Sequence, residues 1–261
     1  MTAGLELCSG FLSYSILIIC NDLGITFEEP FGDIYGEGVW RGFSKTVTSN
    51  THRIVVAFAS LDGETKFFAC TGFFIRWNQS TTILTSASLV RSSGHENKIV
   101  ENLRIEVFLP NKQRRSGTLP HYNLHYNVAL VSVEDYRAPR PASIHHQYFK
   151  CSKVAAVGRC FGSGTLMAAS GRLVDWTGTH DCKFLVHSSC KITKAGIGGS
   201  LVDFDGNVLG MNFYDKKIGT PFLLWNEISN ILAYLLEKET GLQCIKAPAT
   251  SSSRSLSQFR N

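Results

Sequence analysis

KAGIGGSLVDFDGNVLGMNF, residues 194–213, is the stretch on which the fold of this chain is decided. Gly196, Gly198 and Gly199 surround Ile197, so the backbone there is free to take a tight turn that side chains would obstruct. Two apolar runs follow and are joined through Asp205-Gly206, a strong hairpin signal. The stretch predicts a glycine-rich turn feeding an antiparallel pair, with a bulky aliphatic side chain in the middle of the turn.

Working outward, the same pattern of short apolar runs between turn residues fills the chain from about residue 53. RIVVAFAS, TKFFACTGFFIRW, TTILTSASLV, NLRIEVFLP and YNVALVSVE read as strands of a first antiparallel unit, with Asp62-Gly63, Gly94 and Gly117 in the connections. After RAPRPAS, residues 137–143, a second set begins: KVAAVGRC, TLMAASGRLVDW, KFLVHSSCKI and the hairpin of the opening stretch. The period then changes, because Ile228, Ile231, Leu232, Leu235 and Leu236 share one face of an amphipathic helix that Gly241 would stop. The division expected is an N-terminal extension (1–50), a first barrel (51–136), a linker (137–143), a second barrel with a terminal helix (144–241) and a Ser-rich disordered tail (242–261).

Composition supports a folded chain: 261 residues, 44% apolar and 18% charged, suffice for a sizeable core. The net charge of +5 is uneven. Residues 1–40 hold six acidic and no basic residues, so the remainder carries +11, which favours acidic protein partners. The basic residues form no long run and accompany no nucleic-acid motif, which argues against nucleic acid. The apolar run Gly10–Cys20 has no basic residue before it and is too short to span a bilayer, so neither a secretory signal nor a membrane segment is read there. None of the eight cysteines has zinc-ligand spacing, and the adjacent His145 and His146 point to opposite sides of a strand. Free buried thiols, no metal, no cofactor and an intracellular place, cytoplasmic or nuclear, are the expectation.

Three landmarks occur in one order. CTGFFI (70–75) leads to TSASLV (85–90), then comes YNVALV (126–131), then AGIGGSL (195–201). Together they resemble the trypsin-like (chymotrypsin-fold) serine protease superfamily, and more closely its HtrA/Deg branch of plant type. There T-x-A-H-V-V carries the base, D-[IV]-A-[LV] the orienting acid and G-N-S-G-G-P-L the nucleophile. The likeness runs from about residue 53 to 240 and implies an all-β fold of two antiparallel six-stranded β-barrels with a C-terminal α-helix.

Position by position, the base falls on Ser88, the acid on Asn127 and the nucleophile on Ile197. Peptide hydrolysis of this kind needs a hydroxyl to attack, an imidazole to take its proton and a carboxylate to hold the imidazole. Ile197 has no polar atom and Ser88 is no base near neutral pH. Losing the nucleophile or the base removes activity by a factor on the order of a million, and further losses add little. The resemblance implies that the turn of Ala195, Gly196 and Ile197 still forms an oxyanion-type nest of N–H groups.

A relocated centre would draw on Ser189, Ser200 or Cys190 as nucleophile and on His125, His180 or His187 as base. Ser200 stands where the family has a proline, and Cys190 lies seven residues before Ile197, so neither is presented at the attack position. His125, two residues before Asn127, is expected on the same side of that strand; it and His121 otherwise read as surface or hydrogen-bonded residues. Lys191 and Lys194 read as solvated charges that make a persisting cleft basic. The function expected is that of a pseudoprotease binding a protein or extended peptide along an exposed strand edge. The alternatives are a serine endopeptidase with a non-standard site, or an assembly module. The resemblance implies homo-oligomer contacts through residues 1–40 and leaves no room for a PDZ domain after the helix.

Overall fold

A computed structural model describes residues 27–92, 97–136, 140–144, 153–174, 185–215 and 220–240. The chain enters through β1 (Asp33–Ile34), α1 (Val39–Gly42) and α2 (Lys45–Ile54). Six strands follow: β2 (Val55–Asp62), β3 (Thr65–Trp77), β4 (Ser80–Ser86), β5 (Arg104–Phe108), β6 (Arg114–Asn123) and β7 (Val128–Val133). They close a barrel in the order β2-β3-β4-β7-β6-β5, with β5 returning to β2. The Asp62-Gly63 turn fixes the β2–β3 register, and Gly63 takes the positive φ it requires.

The remaining strands are β8 (Val154–Arg159), β9 (Leu166–Gly171), β10 (Leu173–Val174), β11 (Leu185–Ser188), β12 (Ser200–Asp203), β13 (Val208–Asn212) and β14 (Thr220–Leu224). Here the expectation of two six-stranded barrels is corrected. The second unit is an open eight-stranded sheet, ordered β1-β9-β8-β12-β13-β14-β11-β10. Strand β9 ends at Gly171, and after Arg172 the chain pairs with β11 for only two residues, Leu173 with Ser188 and Val174 with His187. The free edge of β9 is taken by β1 instead, Asp33 opposite Ala168. Two-residue edges contributed by the N-terminal extension and by β10 therefore stand where a ring of full strands would have closed.

From residue 45 onward, two strands and a helix escaped the sequence pattern. β6 contains Gly117, which had been placed in a connection; a side chain there would come 2.8 Å from Val131 and 3.0 Å from Val107, so the neighbouring strands close over the gap. Its Pro120 sits in a register irregularity between Thr118 and His121, where a missing N–H does no harm. The other strand is β14. Helix α2, KTVTSNTHRI, is poor in strong helix formers and overlaps the start of the run that had been read as a strand from Arg53. Ser44 caps it by accepting from Val47 N (3.2 Å), and Thr51 and Ile54 are buried.

The units are bound together rather than merely adjacent. Phe161 packs on the small outward face of Ala57, Ala59 and Ala69. Ala142 N donates to Phe74 O in β3, while the next residue's carbonyl, Ser143 O, accepts from Val208 N in β13. The terminal helix α3 (Trp225–Thr240) buries Ile228, Ile231, Leu232 and Leu235 and receives the Trp77 indole N–H on Leu232 O (3.3 Å).

Candidate functional site

Strand β4 runs into a 3-10 turn, Ala87–Leu89, capped by Ser86, whose hydroxyl accepts from Ser88 N (3.1 Å). This turn holds Ser88 at 1% exposure. Asn127 closes the turn before β7 with φ 56°, a left-handed conformation that asparagine tolerates well. Its carbonyl accepts from Ala87 N (3.2 Å), drawing the two turns together. Asn127 Nδ2 donates to Ser88 Oγ (3.0 Å), and that hydroxyl lies 3.2 Å from Asn127 Oδ1. The side chains thus satisfy each other. Neither an amide nor an aliphatic hydroxyl takes a proton near neutral pH, so the pair has no general-base function.

Ile197 follows a second 3-10 turn, Lys194–Gly196, and is 1% exposed within the main apolar core. Its N–H donates to Lys194 O (3.1 Å) and its carbonyl accepts from Thr71 N (2.8 Å). Gly196 N likewise turns back to Thr193 O (3.0 Å), and Ala195 is buried. Gly198, at φ 76°, brings the backbone so close that a Cβ would lie 2.3 Å from Thr71 O. Glycine is therefore required at that position. Thr71, inside one of the sequence landmarks but not singled out, is the stitch: its hydroxyl lies 2.6 Å from Ala195 O and accepts from Arg159 N (2.9 Å).

The N-terminal segment lies over this turn. Phe31 packs so closely on Gly196 and Gly158 that a side chain at either would meet its ring at 2.8 and 2.9 Å. Thr193 Oγ1 donates to Glu29 O (2.5 Å), and Glu28 accepts from Gly162 N (2.9 Å) while pairing with Lys66 (2.8 Å). Lys194, expected in solvent, is 1% exposed with its ammonium 5.3 Å from the Phe27 ring centroid. Lys191 is exposed as expected. The signal for this strap was present in the acidic extension as FEEPF, residues 27–31, two aromatics flanking an acidic pair.

The other candidates are dispersed. Cys190 is fully buried, and burial pushes its thiol up, away from thiolate. Cys70, also buried, is pushed up to about 12, and Cys160 to about 11. These three are the described cysteines, all free. Ser200 Oγ is buried in β12 with no hydrogen-bond partner among the described residues, and Ser189 is exposed and accepts from Arg172 N (2.9 Å). His187 is buried in β11 and His121 packs edge-on against Trp77 at 4.9 Å. His125 lies in the turn before β7, not on a strand, and lines a cavity beside α3 while Asn127 faces Ser88. His145, His146 and His180 lie outside the described residues, as do Cys8, Cys20, Cys151, Cys182 and Cys244. Among the described residues no group of three His, Cys, Asp or Glu side chains is placed to hold a metal.

The family described as "Trypsin-like peptidase domain" matches residues 70–211, more than half of the chain, a span that contains Ser88, Asn127 and Ile197. Among solved structures, the chain is similar to the Rv3671c protease in its inactive form, with a TM-score of 0.56 and 21% identity over 72% of this chain and 92% of that one. It is similar also to Rv3671c from M. tuberculosis H37Rv in a serine-to-alanine mutant, likewise an inactive form, with a TM-score of 0.57 and 21% identity over 74% and 91%. None of the curated protein sequences matches significantly. At this identity the structural likeness speaks for the fold.

Proposed function

The chain belongs to the trypsin-like peptidase family, and from that premise we propose that it is a member without catalysis that works by binding protein or peptide. The observation that carries this reading is the closed Ser88–Asn127 pair with Ile197 packed into the core. Nucleophile, base and orienting acid are all replaced, and their replacements are engaged with one another or with apolar neighbours rather than facing a substrate. The Ile197 N–H, which an oxyanion would need, is held by Lys194 O. Buried thiols with raised pKa values speak against a cysteine taking over.

Within the family, the order and form of the landmarks support affiliation with the HtrA/Deg branch. For binding, the open sheet offers edges at β1 and β10, where Ile34 and Val174 are each 39% exposed and an extended segment can add main-chain hydrogen bonds. The net charge of +5 favours an acidic partner there. Among the described residues no helix is long and apolar enough to cross a membrane.

The test is covalent labelling. The full chain, incubated with a fluorophosphonate and separately with a cysteine-directed acylating probe, is expected to take up neither at an active-site residue and to leave casein uncut. Stoichiometric labelling of Ser200 or Cys190, lost together with casein cleavage when that residue is changed to alanine, would show a relocated working centre and sink the proposal.

A further inference from the structure

Between the turn that precedes β7 and the outer face of α3 lies a cavity of about 580 Å³. Its polar lining is Asn123, His125, Glu227 and Asn230, and Tyr126 and Tyr234 bring aromatic rings to it. None of the three degenerate catalytic positions lines it. We propose that this cavity takes a cationic side chain of a partner polypeptide, the guanidinium of an arginine fitting it best. The inference deepens the binding role proposed above by naming partner chemistry, at a separate place on the molecule.

Two observations point to a cation. Glu227 is a half-buried carboxylate in the first turn of α3, and among the described residues no cation pairs with it. It is the one lining residue with a formal charge once His125 is neutral, and burial together with the nearby Arg91 favours the neutral imidazole. Tyr234, 57% exposed, and Tyr126 supply rings over which a delocalised cation is attracted, while Ile231 offers apolar surface to the methylene stem.

Geometry favours arginine over lysine. A guanidinium is flat, lies against a ring, and sends separate N–H groups in different directions, here toward the Glu227 carboxylate and the side-chain amide oxygen of Asn230. An ammonium presents a strongly hydrated point charge that would have to be stripped of water in a partly aromatic cavity. The site is also the reverse of the chain's net charge of +5, so it selects against acidic side chains locally while the molecule as a whole draws acidic surfaces.

The experiment uses the full chain labelled with 15N and two small probes, N-acetyl-arginine methylamide and its neutral isostere N-acetyl-citrulline methylamide. Arginine is expected to shift amide signals confined to residues 123–126 and 226–234, with a Kd on the order of 1 mM. Citrulline and the Glu227→Gln variant are each expected to bind about tenfold more weakly, and Tyr234→Ala about fivefold. Both substitutions lie on the solvent side of α3, and the same spectra report that the fold is kept. Equal binding of arginine and citrulline, shifts indifferent to Glu227→Gln, or no shift at these residues overturns the proposal. Silent arginine spectra with unlabelled active-site probes would remove the pocket and leave the loss of catalysis standing, so the two readings fail separately.

Discussion

With its carbonyl held by Thr71 and its N–H by Lys194, Ile197 is packed as a core residue at the position that the resemblance equates with the family's reactive hydroxyl. Ile197→Ser is therefore expected to behave as a core truncation and not as a repair. Removing most of a fully buried aliphatic side chain and leaving a hydroxyl in its place costs about 3–5 kcal/mol, against about 1 kcal/mol for Ile197→Val. Urea unfolding of the two variants measures the difference; a serine variant as stable as the parent would show that the side chain lines open space. The three positions proposed as substituted, Ser88, Asn127 and Ile197, were singled out from their sequence settings alone. That Ser88 and Asn127 close on each other could not be read from them. The contact depends on the positive φ of Asn127 and on two turns 39 residues apart.

Segments carry a different lesson, because residues 27–34, the first described part of a stretch expected to make contacts with other copies, lie against their own chain. Phe27 covers Lys194, and Phe31 sits on Gly196 and Gly158. If these rings are what bury the lysine, the Phe27→Ala, Phe31→Ala double variant should expose its amine. Acylation with an N-hydroxysuccinimide ester followed by peptide mass spectrometry is expected to leave Lys194 unmodified in the parent and to modify it in the variant, with the exposed Lys191 reacting in both. Protection of Lys194 in both proteins would mean that other groups bury it. Elements that are continuous apolar runs between turn residues, such as β3, were legible, and so was the apolar face of α3. Those whose sequence opposes their conformation were not: β6 carries Gly117 and Pro120, and α2 is held by its Ser44 cap and by burial rather than by propensity.

The closed barrel and the open sheet are coupled through buried polar contacts whose charge state matters to the whole molecule. Arg159 reaches from β8 to Val55 O (3.0 Å), Gly164 O (2.9 Å) and His52 O (3.1 Å), and burial pushes its pKa down to about 10, which keeps it charged at neutral pH. Among the described residues no carboxylate pairs with it, so backbone carbonyls carry its solvation. The His52 pKa is lowered below 6.5 by burial first and then by Arg159, Arg53 and Lys112; that of His125 is lowered by burial and then by Arg91. Both are thus more neutral in the folded than in the unfolded chain. Stability is full above the unfolded value of 6.5 and is lost as pH falls through the lower folded values, because the unfolded chain binds protons that the folded chain refuses. The urea midpoint is expected to fall between about pH 7.5 and pH 5.5, and a His52→Gln, His125→Gln double variant to flatten that fall. An equal pH dependence in the variant would place the acid sensitivity elsewhere.

Local rules determined much of this protein: short apolar runs between turn residues, the Asp205-Gly206 hairpin and the glycines around Ile197 specify strands and turns through backbone sterics, and residue identity alone marks the three positions proposed as a degenerate catalytic set. The tertiary structure decided the rest. How many strands a sheet closes with depends on which edges find partners, and β1, a two-residue piece of the extension, took the edge of β9. Whether Ile197 lines a groove or fills one depends on what packs against it. Thr71, Lys194 and Phe31 come from distant parts of the chain, and no local pattern records that they meet at one turn.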